Sequence, residues 1–205
     1  MGRPLIMRRM KQQKTNYKKR ERLLAGRRDF VSVHVSSQNV SAQLLRPNLG
    51  GDISLAAVHS RELTSFGWKA ARKNIPTCYL VGLLLGRKSL SKGIKKAVVY
   101  TAKRSFNSRI SACIKGIIDS GMEIPFSEEV IPPESRLNGT HVASYAKELR
   151  SDERIFKSKF SGMLNSGLNP EDLPSHFLEV KTKIDQSIQT ESTNKASVTI
   201  GEELK

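Results

Sequence analysis

Apolar side chains are sparse up to Asp29 and then arrive in short runs bounded by turns. Phe30-Val31-Ser32-Val33-His34-Val35 is rich in β-branched residues and predicts a strand. Gln38-Asn39 supplies a turn, Val40 to Leu45 alternates as a second strand, and Pro47 to Gly51 is a turn by composition. Ile53 to Val58 makes a third strand, so the three form an antiparallel meander. Ser60 can cap a short helix ending at Gly67. Asn74 caps a longer one that runs to about Lys92 and stops at Gly93. Its middle, Tyr79-Leu80-Val81-Gly82-Leu83-Leu84-Leu85-Gly86, is apolar nearly all round and needs cover on both faces. Gly82 and Gly86 lie one turn apart and permit a strand or helix to approach closely. Ala97-Val98-Val99-Tyr100 reads as a short buried strand, and a helix then a strand after a meander makes a crossover. Ile110, Cys113, Ile114, Ile117 and Ile118 recur at i, i+3, i+4, i+7 and i+8, which predicts a helix ended by Gly121. The class expected is α/β, a mixed sheet with packed helices in α/β/α layers.

Beyond Gly121 the pattern loosens. Ile124-Pro125 and Ile131-Pro132-Pro133 frame an extended link containing Glu128 and Glu129. Residues 134–165 predict helix, with Leu137, Val142, Tyr145, Ala146, Leu149, Phe156 and Phe160 as an intermittent apolar stripe. A second short helix is expected after Pro174, and from Gln186 the Ser, Thr, Asn and Glu content predicts a frayed tail. The organisation expected is a basic extended arm over 1–29, an α/β core over 30–133, a helical C-terminal extension over 134–184 and a flexible tail over 185–205.

Charge changes the picture from fold to partner. Of 35 Lys and Arg residues, 24 lie before residue 110 against only 4 of 19 acids; the two halves carry +20 and −4, within a total of +16. Crowded like charges weaken a compact state, so a polyanion that neutralises the first half is the economical reading. Residues 3–28 alone hold eleven basic residues and one acid, with Tyr17 as the single aromatic. This segment has too little apolar surface to collapse by itself; extended, 29 residues reach roughly 95 Å, enough to thread a folded RNA. Its part from Asn16 to Arg27 has helix formers and Leu23-Leu24, so it can become helical against a partner. Trp68 lies among Lys69, Arg72 and Lys73, a mixture able to stack on bases and grip phosphates. Lys103, Arg104 and Arg109 flank the predicted start of the helix that follows, a natural place for a phosphate.

The same residues argue against other classes. The longest apolar run, Tyr79 to Leu85, is far short of the roughly 20 residues of a membrane span. Residue 6 is Ile rather than the Ser or Thr of a myristoylation signal, and the first residues carry neither the apolar stretch of a secretory signal nor the serines of a transit peptide. No membrane partner is expected. Cys78 and Cys113 fall on apolar helix faces and the four histidines are scattered, so buried thiols and no metal are expected. His59, Glu62 and Asp52 can be assembled into the acid/base roles of a nuclease. No Gly-rich phosphate loop, metal motif or nucleophile signature accompanies them, so neither enzyme activity, cofactor nor small-molecule substrate is expected.

Six runs occur in one order: Lys14-Thr15-Asn16-Tyr17, His59-Ser60-Arg61-Glu62-Leu63, Gly67-Trp68-Lys69, Tyr79 to Gly86, Ile124-Pro125-Phe126-Ser127-Glu128-Glu129 and Gly139-Thr140-His141-Val142-Ala143. Together they closely resemble the L-eighteen family of large-subunit ribosomal proteins in its long archaeal and eukaryotic form. The resemblance implies a cytoplasmic ribosomal protein that binds 5S ribosomal RNA in the central protuberance and helps anchor it to the large-subunit RNA. In that family the arm and the cationic edge of the core grip RNA, and the C-terminal extension packs on neighbouring ribosomal proteins. Carried over by position, the RNA-facing residues are Arg8, Arg9, Lys11, Lys14, Tyr17, Lys18, Lys19 and Arg20, with Arg61, Trp68, Lys69, Arg72 and Lys73 in the core. Arg27, Arg28, Lys103, Arg104 and Arg109 join them on charge. The first strand of the family usually carries basic residues where this chain has His34 and Val35, so the resemblance carries no RNA contact onto it.

Overall fold

The computed structural model describes residues 7–12, 15–101 and 107–202. Its arm holds two helices, α1 (Arg8–Lys11) and α2 (Tyr17–Gly26). The arm was expected to be extended, with Asn16 to Arg27 able to become helical against a partner; that part is helical here, Asn16 capping α2 by accepting from the Lys19 N–H, and Arg8–Lys11 adds a short helix that was not expected. Then come β1 (Phe30–Val35), β2 (Val40–Arg46) and β3 (Ile53–His59), the meander read from the alternation. A 3-10 turn (Ser60–Thr64), α3 (Ile75–Leu90) and β4 (Val98–Val99) complete the crossover. The sheet order is β3-β2-β1-β4, antiparallel except for the parallel β1–β4 pair.

Helices α3 and α4 (Ser108–Asp119) lie side by side on one face of the sheet, α3 under β2 and β3 and α4 under β1. The inward positions Val31, Val35, Val40, Ala42, Leu44, Ala56 and Val58 meet them. A Cβ added to Gly82 would sit 1.9 Å from the Cys113 carbonyl oxygen, and one on Gly116 would sit 2.1 Å from that of Tyr79. Gly82 and Gly116 therefore bring two backbones into contact, and for Gly82 this is the close approach that its spacing with Gly86 predicted. Gly82 meets Cys113 while Gly86 meets Ser120, so the two helices run parallel and start at the same end.

The chain then forms α5 (Glu134–Leu137), α6 (Thr140–Glu148), α7 (Glu153–Asn165) and α8 (Leu173–Glu202). Tyr79 and Arg87 of α3 meet Phe177 and Asp185 of α8, whereas Lys92 just beyond α3 donates to the Leu55 carbonyl on the sheet side. At 100° per residue these sets project in opposite directions, so α8 covers the side of α3 away from the sheet. The α/β class and mixed sheet are as expected, but the layer order is sheet, α3–α4, then C-terminal helices. The other sheet face leaves His34, Gln43 and Ala57 exposed. Leu137, Leu168, Leu173, Phe177, Val180 and Ile184 belong to the same apolar cluster as the sheet residues. Backbone from Gln186 to Glu202, where composition predicted a frayed tail, continues α8. Once the packed turns from Leu173 to Ile184 have nucleated a helix, each further residue adds a bond at little cost.

Candidate nucleic-acid interface

Cations of α2 and of the loops that open α3 and α4 form two groups at opposite ends of the sheet. Phe30 pairs with Leu45 and Val98 at one end, and Val35 pairs with Val40 at the other, which His59 also reaches through Ser41. Six or seven residues at about 3.3 Å each separate the ends by roughly 20 Å.

At the Phe30 end lies the arm. Arg20 is fastened there, with Nη1 donating to Asp52 at 2.8 Å and Nη2 to the Asn48 carbonyl at 3.1 Å. The Asp52 carboxylate holds this guanidinium above its ordinary pKa. With α2 so tethered, Lys19, Arg22, Leu23, Gly26 and Arg28 form one wall of a groove of about 330 Å³ whose other wall is Val98 to Thr101. Beside it Arg27, Arg28, Asp29, Arg46 and Lys96 line a second recess. Asp29 there accepts from Nε and Nη2 of Arg46, at 2.9 and 3.0 Å, and Lys96 pairs with Glu123 at 2.8 Å. Arg27 closes α2 in a left-handed conformation, φ 46°, which turns the chain into β1.

At the Val35 end, Arg61 stands exposed in the 3-10 turn. The loop Lys69 to Asn74 leads into α3, whose cap is Asn74 accepting from the Thr77 N–H at 2.9 Å. Asn107 caps α4 in the same way, accepting from the Ile110 N–H at 3.0 Å, and Arg109 lies in its first turn. Because α3 and α4 are parallel, both positive dipole ends point where Lys69, Arg72, Lys73 and Arg109 gather, an arrangement favourable to an anion. The Arg109 charge reaches Cys78 in the first turn of α3, opposing the burial that pushes that thiol up to about 12.

Among the described residues, Arg8, Arg9, Lys11, Lys18, Lys19, Arg22, Arg27, Arg28, Arg61, Lys69, Arg72, Lys73 and Arg109 have no carboxylate within ion-pair distance. Uncompensated cations, clustered, are what a polyanion neutralises.

A family model described as "Ribosomal large subunit proteins 60S L5, and 50S L18" matches residues 5–107. The chain is 39% identical over 186 residues to the "Large ribosomal subunit protein uL18" of Thermofilum pendens, covering 89% of this chain and 95% of that protein. It is 41% identical over 179 residues to the protein of the same name from Methanococcus maripaludis, covering 86% and 93%. The chain belongs to this family of large-subunit ribosomal proteins. It is a structural constituent of the large subunit of the cytoplasmic ribosome, in a ribonucleoprotein whose other parts are ribosomal RNA and neighbouring proteins.

For a ribosomal family member, the residues singled out by sequence sort differently in three dimensions. Trp68, expected to stack on bases, is buried instead. It is only 3% exposed, its Nε1–H donates to Thr77 Oγ1 at 2.9 Å, and its ring stacks on His176 at 5.2 Å. A large amphipathic ring with a satisfied N–H belongs to the core, so it offers no face to a base. Arg20 is a tether within the protein. Lys14, Lys103 and Arg104 lie outside the described residues. Tyr17 is half-buried at the start of α2. The nuclease trio is dispersed: Asp52 holds Arg20 at one end of β3, while His59 and Glu62 at the other form a capping box. In that box the Glu62 carboxylate accepts from the His59 N–H at 2.8 Å and pairs with Lys88 at 2.6 Å. Arg22, Arg46 and Lys96 were not singled out by sequence. Arg46 and Lys96 reach Arg27 and Arg28 only through strand pairing, although the i+4 step from Lys18 to Arg22 was readable.

Proposed function

We propose that the chain binds 5S ribosomal RNA and helps anchor it to the large-subunit RNA in the central protuberance, with the arm group and the helix-end group as two separate grips. The observation that carries this is that the α2 cations and those at the starts of α3 and α4, unpaired among the described residues, stand at two ends of the sheet roughly 20 Å apart. One rigid body can then hold two RNA segments, or two turns of one. The open sheet face between them presents Ser32, His34, Ser41 and Gln43, polar hydrogen-bonding groups suited to shape and 2′-hydroxyl recognition. Arg8, Arg9, Lys11, Lys18, Lys19, Arg22, Arg27 and Arg28 serve the first grip; Arg61, Lys69, Arg72, Lys73 and Arg109 serve the second.

The test is a salt titration of binding to 5S RNA, with a same-length duplex and an unrelated folded RNA as competitors. Preference for 5S RNA that survives near 0.15 M salt is the expected result, on top of a loss of roughly 10³–10⁵ in affinity between 50 and 200 mM for 6–10 phosphate contacts. Equal binding to all three, vanishing together, overturns the 5S assignment.

A further inference from the structure

Lys69, a loop cation of the second grip, is placed by the far end of the chain. Its N–H donates to Nε2 of His176 in α8 at 3.2 Å, and its carbonyl lies 2.8 Å from Ser166 Oγ, just after α7, a hydroxyl whose one hydrogen it shares with the Met163 and Gly162 carbonyls at 2.8 and 3.1 Å. Loop amides are ordinarily satisfied by near neighbours or water. Here both partners lie far downstream, by 107 and 97 positions.

The imidazole is itself held on two sides. Its ring stacks on Trp68 with planes 12° apart, and Nδ1 lies 3.8 Å from Glu179, so the proton sits on Nδ1 and Nε2 is free to accept. Its side chain is 13% exposed. Trp68 is fixed in turn by Thr77, whose hydroxyl donates to the Ala71 carbonyl at 2.6 Å. A continuous set of contacts thus runs from α8 through Trp68 to the loop that carries Lys69, Arg72 and Lys73. Residues 134–184 hold eight basic and seven acidic side chains, so the extension supplies this end with little net charge. Its contribution is geometric.

Resting on the reading that this loop grips RNA, we propose that His176 and Ser166 are positioning residues for RNA binding, through the two backbone bonds they make to Lys69. A loop ordered before the encounter loses less freedom on binding and presents its charges in one direction. The clamp needs a neutral imidazole. The charged groups that face it are Lys69 from the loop and Glu179 and Lys183 from its own helix. Burial lowers the His176 pKa below its ordinary value, an effect the Glu179 charge partly opposes and the two lysines reinforce. A histidine with a lowered folded pKa stabilises the docked state fully above its unfolded value; that contribution is lost as pH falls through the lowered one.

The test uses the full chain and 5S RNA. His176→Phe keeps a ring on Trp68 but offers no acceptor, whereas His176→Gln keeps an acceptor but cannot gain a proton. A triple Lys69→Ala, Arg72→Ala, Lys73→Ala variant shows whether the loop grips RNA at all. His176→Phe is expected to weaken binding about fivefold at neutral pH, or roughly 1 kcal/mol, and to speed hydrogen exchange of the Lys69 amide without RNA present. His176→Gln is expected to bind as the parent does near neutrality and to lose the parent's decline between about pH 7 and 5. A triple variant that binds like the parent overturns the RNA grip, and the positioning role with it. A weakened triple variant beside an unaffected His176→Phe leaves the grip standing and overturns the positioning role alone. Should His176→Phe fail to fold, Ser166→Ala replaces it, with unchanged Lys69 exchange and unchanged affinity as the overturning result.

Discussion

A methyl group on Gly82 would overlap the Cys113 carbonyl oxygen, a backbone atom that cannot swing away. Gly82→Ala is expected to lower stability by about 2–3 kcal/mol, read from the urea midpoint, because the helix pair must part or bend. Gly26→Ala at the end of α2 is the control. Nothing lies within 4 Å of its added Cβ, so the change should be neutral or slightly stabilising. Trp68 gives a second test at this scale. Its emission maximum should hold still when RNA is added, since the ring is covered by His176 and the core. A blue shift on RNA binding would return it to the interface. Trp68 differs from its expectation for a plain physical reason. Its sequence neighbours are cations, which suggest a nucleic-acid surface, but the residue that covers it is 108 positions away. Spacing reports nothing about such a partner, whereas the glycine pair was legible because helical periodicity alone puts both on one face.

The meander was readable because alternation is local: Val31, Val33 and Val35 face the helices just as Ala42 and Leu44 do opposite them. The side of the sheet on which later helices pack is not local, and so the layer order was misjudged. Apolar character all round α3 demanded cover on every side, and the C-terminal extension provides part of it. Ile184 in α8 is fully buried in the same cluster as the sheet. Ile184→Ala is therefore expected to cost about 2–4 kcal/mol and to shift one cooperative thermal transition. Two resolved transitions would show that α8 melts as a unit of its own. Arg87 with Asp185, each about one-third exposed, adds little beside this; the pair is worth under ~1 kcal/mol once solvent screening is allowed for.

The candidate interface was legible as a list of cations but not as two places. Asp52 and Asp29 take Arg20 and Arg46 out of the available charge, and the parallel starts of α3 and α4 set Lys69, Arg72, Lys73 and Arg109 at the end of the sheet opposite α2. Substituting Lys18, Lys19 and Arg22 by Gln should reduce the slope of log affinity against log salt by about 0.9 for each phosphate that is no longer neutralised. The same exchange at Lys69, Arg72 and Lys73 should do likewise, and the two reductions should add, as expected for groups well over 10 Å apart. Strong non-additivity would mean that both groups hold one shared RNA segment. The seam between α3 and α4 also carries a clock. Cys78 and Cys113 are both fully buried there, and burial holds both thiols protonated at neutral pH, Cys78 up to about 12. Alkylating reagents attack the thiolate, so they should modify this protein only during excursions that separate the two helices. The rate of that labelling counts how often the body opens, and bound RNA that ties the two helix starts together should make the count fall.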